Sequence, residues 1–128
     1  MRLPDQELYD AAYGAFLDAG INTHDVLPDA KAAMPYVYFG QSELSMVSTK
    51  TNPVSEVALT VHIFGTRTQR RKVADLTGRL FLLLAKIRQT PGYSVTLEHN
   101  QTINTVEEDQ QDNGIFWHGL IDVTYQTK

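Results

Sequence analysis

The sequence contains no cysteine, which removes disulfides and thiolate metal sites from consideration. The chain is thereby indifferent to redox compartment and suits a cytoplasm. No apolar run approaches the about 20 residues that a membrane-spanning helix needs. The first residues, Met1-Arg2-Leu3-Pro4-Asp5-Gln6-Glu7, lack the apolar core of a signal peptide and read as the beginning of a folded domain. Positive charge is scarce too. The chain has 11 Lys and Arg against 15 Asp and Glu, a formal net charge of -4. Gripping nucleic acid takes clustered cations, so this balance opposes groove reading. A mildly acidic protein can still let DNA pass without holding it.

Catalytic signatures are missing as well. Ser42, Ser45, Ser48, Ser55 and Ser94 all lie outside any G-x-S-x-G elbow, so no nucleophilic triad is announced. There is no glycine-rich phosphate loop and no Walker sequence. Of His24, His62, His99 and His118, three fall in predicted strands. Suitable pairing brings His62 near His118, with Asp122 four residues further along the same strand face. Two imidazoles and a carboxylate can ligate a metal. Without a compact motif such as H-E-x-x-H, the pattern favours half-exposed strand residues instead. The expectation is a protein that is not an enzyme and has no catalytic residue, no metal and no cofactor.

What is present is a set of strand and helix signals. The 128 residues suffice for one ordinary domain with a real core, and no internal repeat or second domain is visible. Pro4 opens a helix predicted to run to about Ala19, with Leu8, Ala12, Ala15 and Ala19 as its apolar stripe, Tyr9, Tyr13 and Phe16 beside it, and Gly20 ending it. A short strand is expected within Ile21 to Leu27, and a loop between Pro28 and Pro35. Tyr36-Val37-Tyr38-Phe39 is strand-like, with Gly40 marking a bulge or bend, and pairing is expected to resume through Leu44 and Met46 before it fades into an exposed loop from Ser48 to Pro53. From about Ser55 to Phe64 the chain alternates, placing Val57, Leu59, Val61 and Ile63 on one face that should meet the helices. A second helix is predicted from about Thr68 to Gln89, with a capping box from Thr66 and Gln69. Its broad apolar surface suggests burial on two sides. Tyr93, Val95 and Leu97 form a half-buried strand, and Ile115 to Tyr125 forms a long final one. Between these two lies a polar, acidic segment read as a hairpin tip. The order predicts an α+β fold: a mostly antiparallel sheet of four to five strands packed against two helices and ending in a long β-hairpin.

Charge supplies candidate contacts. Arg67, Arg70, Arg71 and Lys72 cluster at the start of the second helix, the end where cations are disfavoured by the macrodipole. A solvated basic turn accounts for them, and so does a negatively charged partner. Glu107, Glu108, Asp109 and Asp112 in the acidic segment are the matching candidates within this chain. The basic turn of one subunit facing the acidic tip of another gives a head-to-tail contact, which closes into a ring when the rotation permits.

Pro35-Tyr36-Val37-Tyr38-Phe39-Gly40, then Leu59-Thr60-Val61-His62-Ile63-Phe64 before a long helix, then Trp117-His118-Gly119-Leu120-Ile121-Asp122-Val123 near the end give a familiar order. In order and length, nearly the whole chain resembles the tail-completion, or head-to-tail joining, proteins of long-tailed phages and prophages, related in fold to the tail terminator of phage lambda. The resemblance implies a non-enzymatic assembly protein. It implies a ring, expected to be hexameric, on the head-proximal end of the tail tube, with the tube protein and the head connector as partners. DNA is expected to pass through the lumen without sequence-specific binding, and no membrane is involved. Assembly in the host cytoplasm and residence at the head–tail interface of the virion follow. The family also tends to carry a mobile loop between early strands. Ser42 to Pro53 matches it by position, with Ser45, Met46, Ser48, Lys50 and Asn52 inside it. Two readings from other classes stand beside this one: a binding module that adds a partner's strand at an open sheet edge, and a small metal-dependent enzyme using the strand histidines.

Overall fold

Period-two alternation in one strand decides the layering. Val57, Leu59, Val61 and Ile63 are all at most 1% exposed, so one face of the sheet is sealed by the helices. The structure, a computed structural model, describes residues 2–29, 31–48, 53–98, 102–111 and 114–128. Its elements are α1 (Pro4–Asp18), β1 (Thr23–His24), β2 (Tyr36–Ser48), β3 (Pro53–Gly65), α2 (Arg70–Ala85), β4 (Gln89–Thr90), β5 (Tyr93–Leu97), β6 (Thr102–Gln111) and β7 (Gly114–Thr127). The sheet runs β1-β2-β3-β7-β5-β4, with β6 also on β7. Pairing is antiparallel except for the short parallel contact of Thr23 and His24 with Val37 and Tyr38. This is the expected α+β sheet on two helices with a terminal hairpin. It is mixed, with five long strands and two of two residues each.

The core gathers Leu8, Ala12 and Phe16 from α1, Val73, Leu80 and Leu84 from α2, and Ile121, Val123 and Tyr125 from β7 against the β3 face. Each such aliphatic or aromatic side chain contributes about 1.5–3 kcal/mol on burial. The stripe on α1 is rotated from the expected one: Phe16 is fully buried while Ala15 is only half-buried. The larger ring stacks on Phe39, 5.3 Å away between centroids, and Phe16 outweighs two alanines in buried area. Gly20 ends α1 at φ 76°, as expected of a C′ glycine.

Two polar links fasten the layers. Glu7 is nearly buried, and its carboxylate accepts from the Thr90 hydroxyl at 2.9 Å and from the Gly92 N–H at 2.7 Å. The turn at Pro91-Gly92 is thereby tied to the first turn of α1. The Tyr125 hydroxyl donates to the carbonyl of Leu84 at 2.7 Å, a second donor beside the Ile87 N–H at the end of α2. Burial pushes that phenol well above its ordinary pKa.

Four expectations change. The strand expected within Ile21 to Leu27 shrinks to Thr23–His24. The second helix is shorter at both ends, Arg70–Ala85, because the last bonds tighten to Lys86 N–H on Leu83 and Ile87 N–H on Leu84. The acidic segment, expected as a tip, is strand β6 from Thr102 to Gln111. Its composition is poor for a strand, but pairing along β7 from Asp122 to Gly114 supplies the backbone partners that decide the matter. Ser45, Met46 and Ser48, expected in a loop, are paired residues of β2, opposite Glu56, Ser55 and Pro53.

Candidate functional site

With both helices on one face, the other face of the sheet is free of them, and the alternate residues of β2, β3 and β7 point there. Tyr36 and Tyr38 from β2, His62 and Phe64 from β3, and His118 from β7 form a continuous ladder of rings. Tyr38 stacks on His62 with centroids 4.7 Å apart, and Phe64 stacks on His118 at 4.2 Å. Tyr36 leans on Phe64 at 5.9 Å and receives His24 edge-on, also at 5.9 Å. Phe64 is only 5% exposed although no helix covers it, so the rings shelter one another.

At the centre of the ladder His62 Nδ1 and His118 Nε2 lie 2.9 Å apart. A hydrogen bond between them requires at least one neutral imidazole. Burial holds His62 below the ordinary histidine range and the neighbouring His118 adds to this, while Asp122 pulls the other way. Gly40 makes room for the arrangement, since a Cβ there would sit 2.8 Å from His62 Nε2. The proximity of His62 to His118 was legible in the sequence. Asp122, the third member of the expected cluster, instead accepts from the Thr60 hydroxyl at 2.7 Å. Among the described residues no three His, Cys, Asp or Glu side chains gather as a metal site.

The same face turns acidic toward the other end of the sheet. Glu56 on β3 and Glu98 after β5 share a hydrogen bond, and that bond, with their mutual repulsion, raises the Glu56 pKa. A shallow groove of about 380 Å³ beside them is lined by Thr96, Leu97, Glu98 and Gln126. It holds no nucleophile with a base beside it.

The basic residues Arg67, Arg70, Arg71 and Lys72 are all exposed at the start of α2. Half of the expected capping box forms: the Thr66 N–H donates to Gln69 Oε1 at 2.9 Å. The turn is anchored to β7 by Trp117, whose indole N–H donates to the Arg67 carbonyl at 2.8 Å while the Arg70 guanidinium lies 5.5 Å from its ring centroid. Gly65 permits this close approach of β3 to α2, because a Cβ there would meet Val73 Cγ2 at 2.4 Å. On β6, Glu107, Glu108 and Asp109 stand opposite His118, Trp117 and Phe116 in register. Basic turn and acidic strand therefore both adjoin Trp117 within one chain. Asp112, Lys50 and Asn52 lie outside the described residues. Met46, near the end of β2, is 72% exposed.

The ring ladder is what residue-by-residue reading missed. Its signal was the second face of the alternation, Ala58-Thr60-His62-Phe64, which carries two rings where a water-facing strand ordinarily carries polar groups. The surfaces thus described present rings, cations and carboxylates to their surroundings.

Comparison with known proteins agrees. A family model described as Tail completion protein gp17 matches residues 8–124. A comparison with curated proteins found no match. Among solved structures, a chain in the virion of a native gene transfer agent particle is similar at 10% identity and a TM-score of 0.65, over 98% of this chain and 95% of that one. The bacteriophage SPP1 gp17 protein is similar at 20% identity and a TM-score of 0.61, over 97% of this chain and 91% of that one. At these identities the two likenesses concern the fold.

Proposed function

The chain belongs to the tail completion protein gp17 family, and from that membership we propose that it caps the head-proximal end of a phage tail tube as a ring and offers the docking surface for the head connector. The observation that carries this reading is the family match over residues 8–124, which runs from within α1 to within β7 and takes in every element between them. The described surfaces support it: an aromatic sheet face, a basic turn and an acidic strand, with no catalytic cleft among them. The partners are further copies of the chain, six in the full ring, together with the tube protein and the connector. DNA passes through the lumen unread, a role that a net charge of -4 suits, since a strongly basic channel would hold it. Arg67, Arg70, Arg71 and Lys72 on one copy meet Glu107, Glu108, Asp109 and Asp112 on its neighbour. The segment around Ser45, Met46, Ser48, Lys50 and Asn52 orders further on contact with a partner, at the usual entropic cost. The protein acts in the host cytoplasm during assembly and ends in the virion, where tail meets head.

Electron microscopy of tails grown without the protein is the test. The expected result is tubes of uncontrolled length that fail to join heads. Tails of normal length that join heads normally overturn the reading.

A further inference from the structure

Among the described residues, two long strand edges of this sheet have no strand beside them. β1 covers β2 only at Val37 and Tyr38, leaving the edge from Phe39 to Ser48. On the other side, the described pairing of β6 is with β7, which leaves its outer edge from Thr102 to Gln111. Open edges template further strands, and proteins that must avoid this place Lys or Pro along them. Neither residue occurs in Phe39–Ser48 or in Thr102–Gln111. The bulge between Phe39 and Ser42 spoils only the start of the first edge.

Strand polarity makes the two edges complementary. β2, β3, β7 and β6 alternate in direction, since each successive pair is antiparallel. A second copy placed beside the first therefore brings its β2 antiparallel to β6, and the alternation continues without a break. Charge disfavours one alternative. Glu107, Glu108 and Asp109 make two β6 edges repel one another, whereas the β2 edge carries Glu43 alone. A contact between unlike edges is head-to-tail, the kind a ring requires, and closes when the rotation permits. The stagger of the sheet fits too. The β2–β3 arm runs past the end of β7 at Thr127, while the β6–β7 hairpin runs past Gly65 at the opposite end. Joining unlike edges then steps each copy along the strands, as happens when tilted strands close on themselves.

We infer that neighbouring copies join by strand addition, the β2 edge of one pairing antiparallel with the β6 edge of the next. This rests on the ring reading above and names its interface. The absence of cysteine allows a clean test. Single-cysteine versions Ser42→Cys and Ser45→Cys on β2, and Asn104→Cys and Gln110→Cys on β6, are loaded on tails in pairs and oxidised. Disulfide-linked dimers should form when a β2 version is mixed with a β6 version. The double variant Ser45→Cys with Gln110→Cys should give a ladder of linked masses. Rings that look normal by microscopy but yield no cross-link, or only β2–β2 and β6–β6 links, overturn the edge pairing and leave the ring reading intact. Tails that carry no terminal ring with the unmodified chain overturn both.

Discussion

His62 carries the pH sensitivity of the helix-free face. Tyr38 stacks on it from β2, Gly40 lies against it, and His118 and Asp122 face it from β7. Its folded pKa lies below the ordinary 6.5. The unfolded chain therefore binds more protons than the folded one between that lowered value and 6.5. The contribution of His62 to stability is flat above about pH 7 and falls as pH drops through that window. Urea midpoints measured between pH 5 and pH 8 should show the fall, and His62→Gln should flatten it. An equal slope in the variant assigns the effect elsewhere. Tyr125→Phe makes a separate prediction. It removes one of the two donors to the Leu84 carbonyl, which keeps the Ile87 N–H, a cost of about 0.5–1.5 kcal/mol, visible as a lower unfolding midpoint with an unchanged denaturant slope. The pairing of His62 with His118 was readable because strand alternation fixes which residues share a face. That Asp122 turns to Thr60 was not readable, since it depends on which residues stand opposite one another across β3 and β7.

Helices and the central strands announced themselves by period; the edges did not. Val57, Leu59, Val61 and Ile63 could only be one buried face, and Pro4 and Gly20 bracketed α1. Residues 102–111 are dominated by Glu, Asp, Gln, Asn and Thr, and their strand state comes from pairing with β7. The β2 arm beyond Gly40 was legible in part, because Leu44 and Met46 alternate with polar residues; its continuation to Ser48 comes from pairing with β3 alongside. The junction of β3 with α2 gives a sharper test at this scale. Gly65→Ala drives a methyl into Val73 and Gln69. Overpacking of this kind costs about 1–3 kcal/mol. Thermal unfolding should show the loss, and the smaller Val73→Ala in the same chain should recover part of it. If Gly65→Ala is neutral, the strand–helix approach is looser than described.

In the proposed ring, the basic turn of one copy meets the acidic strand of its neighbour. Four cations at a helix start work against its macrodipole by some tenths of a kcal/mol each, so their arrangement favours an anionic neighbour. Each exposed pair contributes at most about 1 kcal/mol, but in a ring the same contact repeats at every interface. Arg70→Glu with Arg71→Glu should therefore raise the concentration needed for assembly several-fold at low salt. The difference should vanish near 1 M salt, where the screening length is about 3 Å. Arg70 also lies over Trp117, so its loss alone disturbs the turn. Arg71→Glu with Lys72→Glu spares that contact and serves as the control: it should reproduce the assembly defect without lowering the unfolding midpoint of the free chain, since Glu suits the helix start better than a cation does. If the assembled mass and its salt dependence stay the same in both variants, the cations are a solvated turn and the ring is held by backbone pairing at the strand edges alone.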